Sequence, residues 1–74
     1  MSKVEVESEV TGNVWKIESK VGDKVVEEDV LMILESMKME IPVEAPSAGT
    51  IVEILVNEED AVEEDQVVAI IESD

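Results

Sequence analysis

The 74-residue chain contains neither cysteine nor histidine. Without thiols there can be no disulfide, no thiolate metal site and no Cys nucleophile. Without imidazoles the commonest zinc ligand and the usual general base near neutral pH are missing. A hydrolase or metalloenzyme is therefore not expected, and no metal site is assigned. Positive charge is scarce: five Lys and no Arg stand against twenty Asp or Glu, a formal charge of −15. Such a surface repels phosphate backbones and anionic lipid headgroups, so neither nucleic acid nor a membrane is an expected partner. No run approaches the length of a membrane span, and the opening Met-Ser-Lys does not begin an apolar signal core. The reading from these features is a cytoplasmic protein. High charge is compatible with disorder, but 45% of the residues are hydrophobic and fall in runs separated by turn-like segments. That pattern describes one folded domain with a thin core, because a chain this small buries only about 60% of its unfolded surface.

Two copies of one unit fill the chain. A shift of 37 residues aligns the sequence with itself without a gap. Val6-Glu7 meets Val43-Glu44, Gly12 meets Gly49, Ile17 meets Ile54, Asp23 meets Asp60 and Val25 meets Val62. Glu27 then meets Glu64, Val30 meets Val67, Ile33 meets Ile70, and Glu35-Ser36 meets Glu72-Ser73. The halves, 1–37 and 38–74, are each too small to bury an apolar face alone and must pack on one another. Val and Ile dominate, in runs of strand length bounded by acidic or Gly-containing segments, and helical spacing is not sustained. Strands are expected near residues 3 to 7, 13 to 19, 30 to 36, 39 to 44, 50 to 56 and 67 to 72, with short ones near Val25 and Val62. The fold class is all-β: two small antiparallel sheets face to face, or a flattened barrel, with quasi-two-fold symmetry.

One hairpin breaks the local rules. Folding residues 31 to 43 back at Met37-Lys38 sets Leu34 opposite Ile41 and Met32 opposite Val43, apolar against apolar. A two-residue hairpin loop favours Asn-Gly, since a type I′ turn needs φ > 0 at both central positions, and Met-Lys is a poor choice there. The same register puts Glu35 opposite Glu40, a like-charge pair. Local preference gives way most often at functional sites. The competing reading is a slightly longer ordinary loop with Lys38 as a solvated surface residue. Three of the four Met residues, Met32, Met37 and Met39, lie in this hairpin, and two of them flank Lys38. Met offers soft contacts to a partner or cofactor, and simple core packing is a weak explanation at a protruding tip. The repeat maps Met1 onto Lys38, so both ends of the chain are expected together, remote from the tip.

The stretch Glu35-Ser36-Met37-Lys38-Met39-Glu40, followed by Ala45-Pro46 and Gly49, resembles the biotinyl domains of biotin-dependent carboxylases and the small biotin/lipoyl attachment proteins. The resemblance covers nearly the whole chain, and Met-Lys-Met is its specific part. It implies a flattened barrel of two four-stranded sheets, with Lys38 as the site of covalent attachment at a tight turn. Met37 and Met39 would flank it as recognition residues, and Glu35, Ser36 and Glu40 would be read by partners at the hairpin tip. Glu28, Glu59 and Asp65 stand where such domains often have Gly. There, either a cost on the order of 1 kcal/mol at φ > 0 or a remodelled turn is expected. The gapless halves leave no room for the protruding loop of some carboxyl carrier proteins, so the thumbless type is implied. No Ala/Pro-rich linker precedes the domain, which resembles a stand-alone monomeric carrier.

The function implied is that of a carrier and not of an enzyme. A biotin protein ligase presents biotinyl-adenylate, the Lys38 amine attacks it, and the ligase is expected to take the amine's proton. The tethered biotin would then carry a carboxyl group between biotin carboxylase and carboxyltransferase sites. A lipoyl carrier, modified by a lipoyl ligase for acyl transfer, is the nearest alternative, and acceptance of both groups is a variant of it. Glu35 occurs in both kinds of domain, whereas Met37 and Met39 favour biotin. An unmodified acidic interaction module using the Met-rich tip is the rival from another class. Ser36 and Ser47 have no His partner, and the pairs Glu27-Glu28 and Glu58-Glu59 read as solvated turns. Trp15, the lone aromatic residue, aligns with Val52 and is expected to pack in or against the core, with partner docking as the alternative.

Overall fold

The computed structural model describes residues 2–73. Met1 and Asp74, the outer limits of the expected domain and of its two halves, lie outside the described residues, as does the pairing of Met1 with Lys38. Eight strands are formed: β1 Lys3–Glu7, β2 Gly12–Ile17, β3 Lys24–Val25, β4 Val30–Ser36, β5 Met39–Glu44, β6 Gly49–Ile54, β7 Ala61–Val62 and β8 Val67–Glu72. They make two four-stranded antiparallel sheets, ordered β1-β8-β6-β3 and β5-β4-β2-β7. Adding 37 residues converts the first order into the second, strand for strand. The fold is the expected flattened all-β barrel.

Its core is the set of alternating apolar positions on the two inner faces. Val14, Leu31, Met32, Leu34, Ile51, Val62, Val68 and Ile71 are almost wholly buried. Each such side chain contributes about 1.5–3 kcal/mol by leaving water. Strict alternation fails at two related places, Leu31-Met32 and Val68-Ala69, where consecutive residues are both buried. The register explains it. Val30 pairs with Glu44 but Met32 with Val43, and Val67 pairs with Glu7 but Ala69 with Val6, so Leu31 and Val68 are bulged residues. A bulge lets two neighbours face one side.

A second pair of bulges falls at Trp15 and Val52, where β2 and β6 shift register against β4 and β8. Both strands are shorter than expected: β2 ends at Ile17, not 19, and β6 at Ile54, not 56, each followed by one more cross-strand bond, Glu18 N–H to Leu31 O and Leu55 N–H to Val68 O.

Four tight turns link the sheets, at residues 20–23, 26–29, 57–60 and 63–66. In each, the fourth residue's N–H donates to the first residue's carbonyl, while its side-chain oxygen accepts from the first residue's N–H. The third positions, Gly22, Glu28, Glu59 and Asp65, have φ of 99°, 77°, 76° and 71°. The remodelling weighed for Glu28, Glu59 and Asp65 does not occur. The glycine geometry is retained with acidic side chains in it, because the paired turn hydrogen bonds and Glu28 N–H to Ala45 O, Glu59 N–H to Val14 O and Asp65 N–H to Ser8 O fix the backbone.

Candidate functional site

β4 and β5 form the protruding hairpin in the expected register: Met32 faces Val43, Leu34 faces Ile41, Glu35 faces Glu40 and Ser36 faces Met39. Only Met37 and Lys38 remain for the turn, and both have left-handed φ, 53° and 66°. That is the type I′ requirement, met by two residues that resist it. Each such residue costs roughly 1–2 kcal/mol relative to right-handed backbone. What holds the tip in place is the sheet below it, where Leu34 is fully buried and locks the register.

The tip is anchored from one side by β2. Ser36 Oγ donates to Thr11 O at 2.8 Å, so this hydroxyl is engaged within the chain. Gly12 lies so close to β4 that a Cβ there would collide with Glu35 O and crowd the Ser36 side chain. Gly49, its counterpart, is blocked in the same way by Glu72 and Ile71. The Thr11-Gly12 buttress was not singled out as part of the site from the sequence, although the Gly12/Gly49 identity between the halves was its signal.

Above this base everything is solvated. Met37 is 92% exposed and Met39 61% exposed, and Lys38, Glu35 and Glu40 are exposed as well. The tip thus offers one primary amine, flanked by two thioether side chains with an acidic pair behind it. Among the described residues no cluster of three or more carboxylates is arranged to hold a metal ion. Ser47 lies elsewhere, with its hydroxyl buried and unpartnered. Glu27 and Glu58 occupy the second positions of their turns, and Glu58 Oε2 accepts from Ile17 N–H, a structural use. At the opposite end of the molecule Ser73 N–H donates to Ser2 O and Ser2 N–H to Ser73 Oγ, so the two described ends meet. β1 runs its five residues away from that end before the chain reaches Thr11 beside the hairpin.

Trp15, expected in or against the core, follows buried Val14 on the outer face of the sheet and is 49% exposed, and the bulge at Trp15 places Lys16 on that face beside it.

An antiparallel sandwich with pseudo-two-fold symmetry and a lysine presented on a strained hairpin is the architecture of a carrier domain. Comparison with known proteins makes this specific. Residues 3–71 match the family described as biotin-requiring enzyme, and the chain belongs to this biotin/lipoyl attachment family. It is 42% identical over 62 residues to the biotin/lipoyl attachment protein of Bacillus subtilis (strain 168), covering 84% of this chain and 85% of that protein. It is 37% identical over 67 residues to the biotinylated protein TB7.3 homolog of Mycobacterium leprae (strain TN), covering 90% and 94%. The crystal structure of the Kluyveromyces lactis urea carboxylase contains a similar domain, with a TM-score of 0.91 and 38% identity over 96% of this chain. The chain spans 6% of that carboxylase. It is a carrier domain of the type found in carboxylases, and not a catalyst.

Proposed function

We propose that the chain is a biotin carrier, with Lys38 joined through an amide bond to the carboxyl group of biotin by a biotin protein ligase. The observation that carries this reading is the placement of Lys38 as the second, exposed residue of a two-residue turn in a domain of the attachment family. The residues fit the group. The amine ends a flexible four-carbon stem, no side chain of the fold encloses it, and Met37 and Met39 leave an apolar, uncharged border on either side. When attached, biotin supplies a ring nitrogen that accepts and releases a carboxyl group. The chain positions the tether and lets the tip enter a biotin carboxylase site and then a carboxyltransferase site, raising the local concentration at both. Glu35 and Glu40, and the charge of −15, favour docking to basic partner surfaces. The urea carboxylase resemblance supports biotin and a carboxylase context. The name of the Bacillus relative supports a second reading, attachment of lipoate for acyl transfer.

The carrier acts as a cytoplasmic monomer in this proposal. Its long edge strands resist pairing, because β5 carries Pro42 and β1 turns Lys3, Glu5 and Glu7 outward. Intact mass after co-expression with a biotin ligase and biotin, or with a lipoate ligase and lipoate, tests the function. A biotin adduct absent from Lys38→Ala is expected; a lipoate-only adduct transfers the function to acyl transfer, and no adduct in either case leaves an acidic interaction module.

A further inference from the structure

We propose that Trp15 and the two carboxylates beside it form a receptor for an arginine side chain on the basic face of the ligase that modifies Lys38. The proposal rests on the carrier reading and names how its first partner docks. A shallow hollow of about 280 Å³ on the outer face of the β5-β4-β2-β7 sheet is lined by Asn13, Val14, Trp15, Glu35 and Glu59. It presents one flat aromatic surface, two carboxylates and an amide. A guanidinium matches all of them: it stacks on an indole, donates in a planar fork to carboxylates and is more weakly hydrated than an ammonium.

Three observations separate this hollow from ordinary surface. Trp15 is not needed inside, since its counterpart Val52 takes the same bulged position in the other half with a side chain one third the size, and the core closes around both. The only aromatic residue of the chain is thus held half exposed by the backbone itself. The hollow also adjoins the tip, because Asn13 pairs with Glu35, three residues before Lys38. An enzyme that takes Lys38 into its active site covers this flank. Finally, a chain of charge −15 selects a basic partner face, and an aromatic anchor that shares its hollow with two carboxylates is where such a face gains both attraction and register. The ligase, not the carboxylase, is the occupant: it meets the chain before any cofactor is attached and must recognise the protein surface alone.

The experiment is the steady-state rate of biotin transfer by a purified biotin protein ligase to the full chain and to Trp15→Val, Glu35→Gln and Glu59→Gln. Glu53→Gln on the outer face of the other sheet serves as control. Trp15→Val installs the residue that the symmetric position already accepts, and its thermal unfolding curve verifies the fold. The expected result is a KM raised about tenfold for Trp15→Val at unchanged kcat, as the loss of one desolvated cation–π contact requires. Glu35→Gln and Glu59→Gln are expected to raise KM and flatten its salt dependence, while Glu53→Gln does neither. A wild-type chain that is modified while Trp15→Val keeps KM within about twofold overturns the receptor and leaves the carrier reading intact. A wild-type chain that is not modified overturns both. A shift of Trp15 emission on biotinylation of the isolated chain would give the hollow to the tethered cofactor and overturn the protein occupant.

Discussion

Replacing Met37-Lys38 by Asn-Gly measures how much stability the carrier tip gives up. Both residues sit at left-handed φ, 53° and 66°, and each costs roughly 1–2 kcal/mol there. Asn tolerates this region and Gly prefers it, so most of that strain is released. Gly also loosens the unfolded chain, which returns about 0.4–1 kcal/mol. The net gain is about 1–3.5 kcal/mol, and about 2 kcal/mol if the release is incomplete. Nothing is lost from packing, because Met37 is 92% exposed and Lys38 is solvated. In a domain of this size each kcal/mol moves Tm by about 4–8 °C, so a rise near 10 °C is expected in a far-UV circular dichroism melt. Removing a positive charge from an acidic chain acts in the opposite direction, and Lys38→Gln isolates that effect because it keeps the backbone strain. An Asn-Gly variant that melts within about 2 °C of Lys38→Gln, or below it, refutes the claim that the turn is strained.

The acidic turns make a parallel case: Glu28→Gly is expected to stabilise by about 0.5–1 kcal/mol more than Glu28→Gln, since both remove the charge but only glycine relieves φ of 77°. Urea unfolding followed through Trp15 emission reads the difference, and equal midpoints would show the turn to be unstrained. Gly12→Ala and Gly49→Ala both force a Cβ into backbone across the sheet and should each cost about 1–3 kcal/mol. Only Gly12→Ala displaces the base of the hairpin, so only it should slow modification of Lys38 in the folded fraction; equal slowing by Gly49→Ala would mean that global stability alone sets the rate.

The hairpin register was legible from sequence because it has one solution: shifting the fold by a residue either way would place one of Leu34 and Met32 opposite Glu40 or Glu44 and the other opposite Pro42, instead of opposite Ile41 and Val43. The eight strands were legible for a related reason, since the repeat showed each of them twice. The bulges were not. Leu31-Met32 and Val68-Ala69 read as uninterrupted apolar runs, and a run does not reveal which residue is the extra one. The bulge in β2 hid the orientation of Trp15 in the same way, since Trp15 shares parity with the inward Ile17 and opposes that of the inward Val14, and only the extra residue between them decides. The turns were legible only as an alternative: the local φ cost at Glu28, Glu59 and Asp65, on the order of 1 kcal/mol, does not by itself choose between strain and remodelling, and the several hydrogen bonds that each turn makes to itself and to a neighbouring strand decide for strain. Lys38 could be singled out because no structural need is served by Met-Lys in a type I′ turn, whereas Thr11 and Gly12 serve a structural need so well that they resembled plain scaffold.

The duplication supplies its own control for the docking surface. Where the halves agree, at Gly12 and Gly49, at Asp23 and Asp60 and at the paired left-handed turns, the residues do what the barrel needs in either place. Where they differ on an outer face, the barrel is indifferent, and Trp15 against Val52 is such a place. A chain carrying both Trp15→Val and Val52→Trp keeps the composition, the net charge and the buried core, but moves the indole to the sheet that does not bear the hairpin. If Trp15 acts through its position beside Glu35 and Lys38, the exchanged chain should have the raised KM of Trp15→Val and a Tm near that of the parent. Recovery of the parent KM in the exchanged chain would mean that an exposed indole anywhere on the barrel suffices, and that geometry next to the hairpin contributes nothing to recognition.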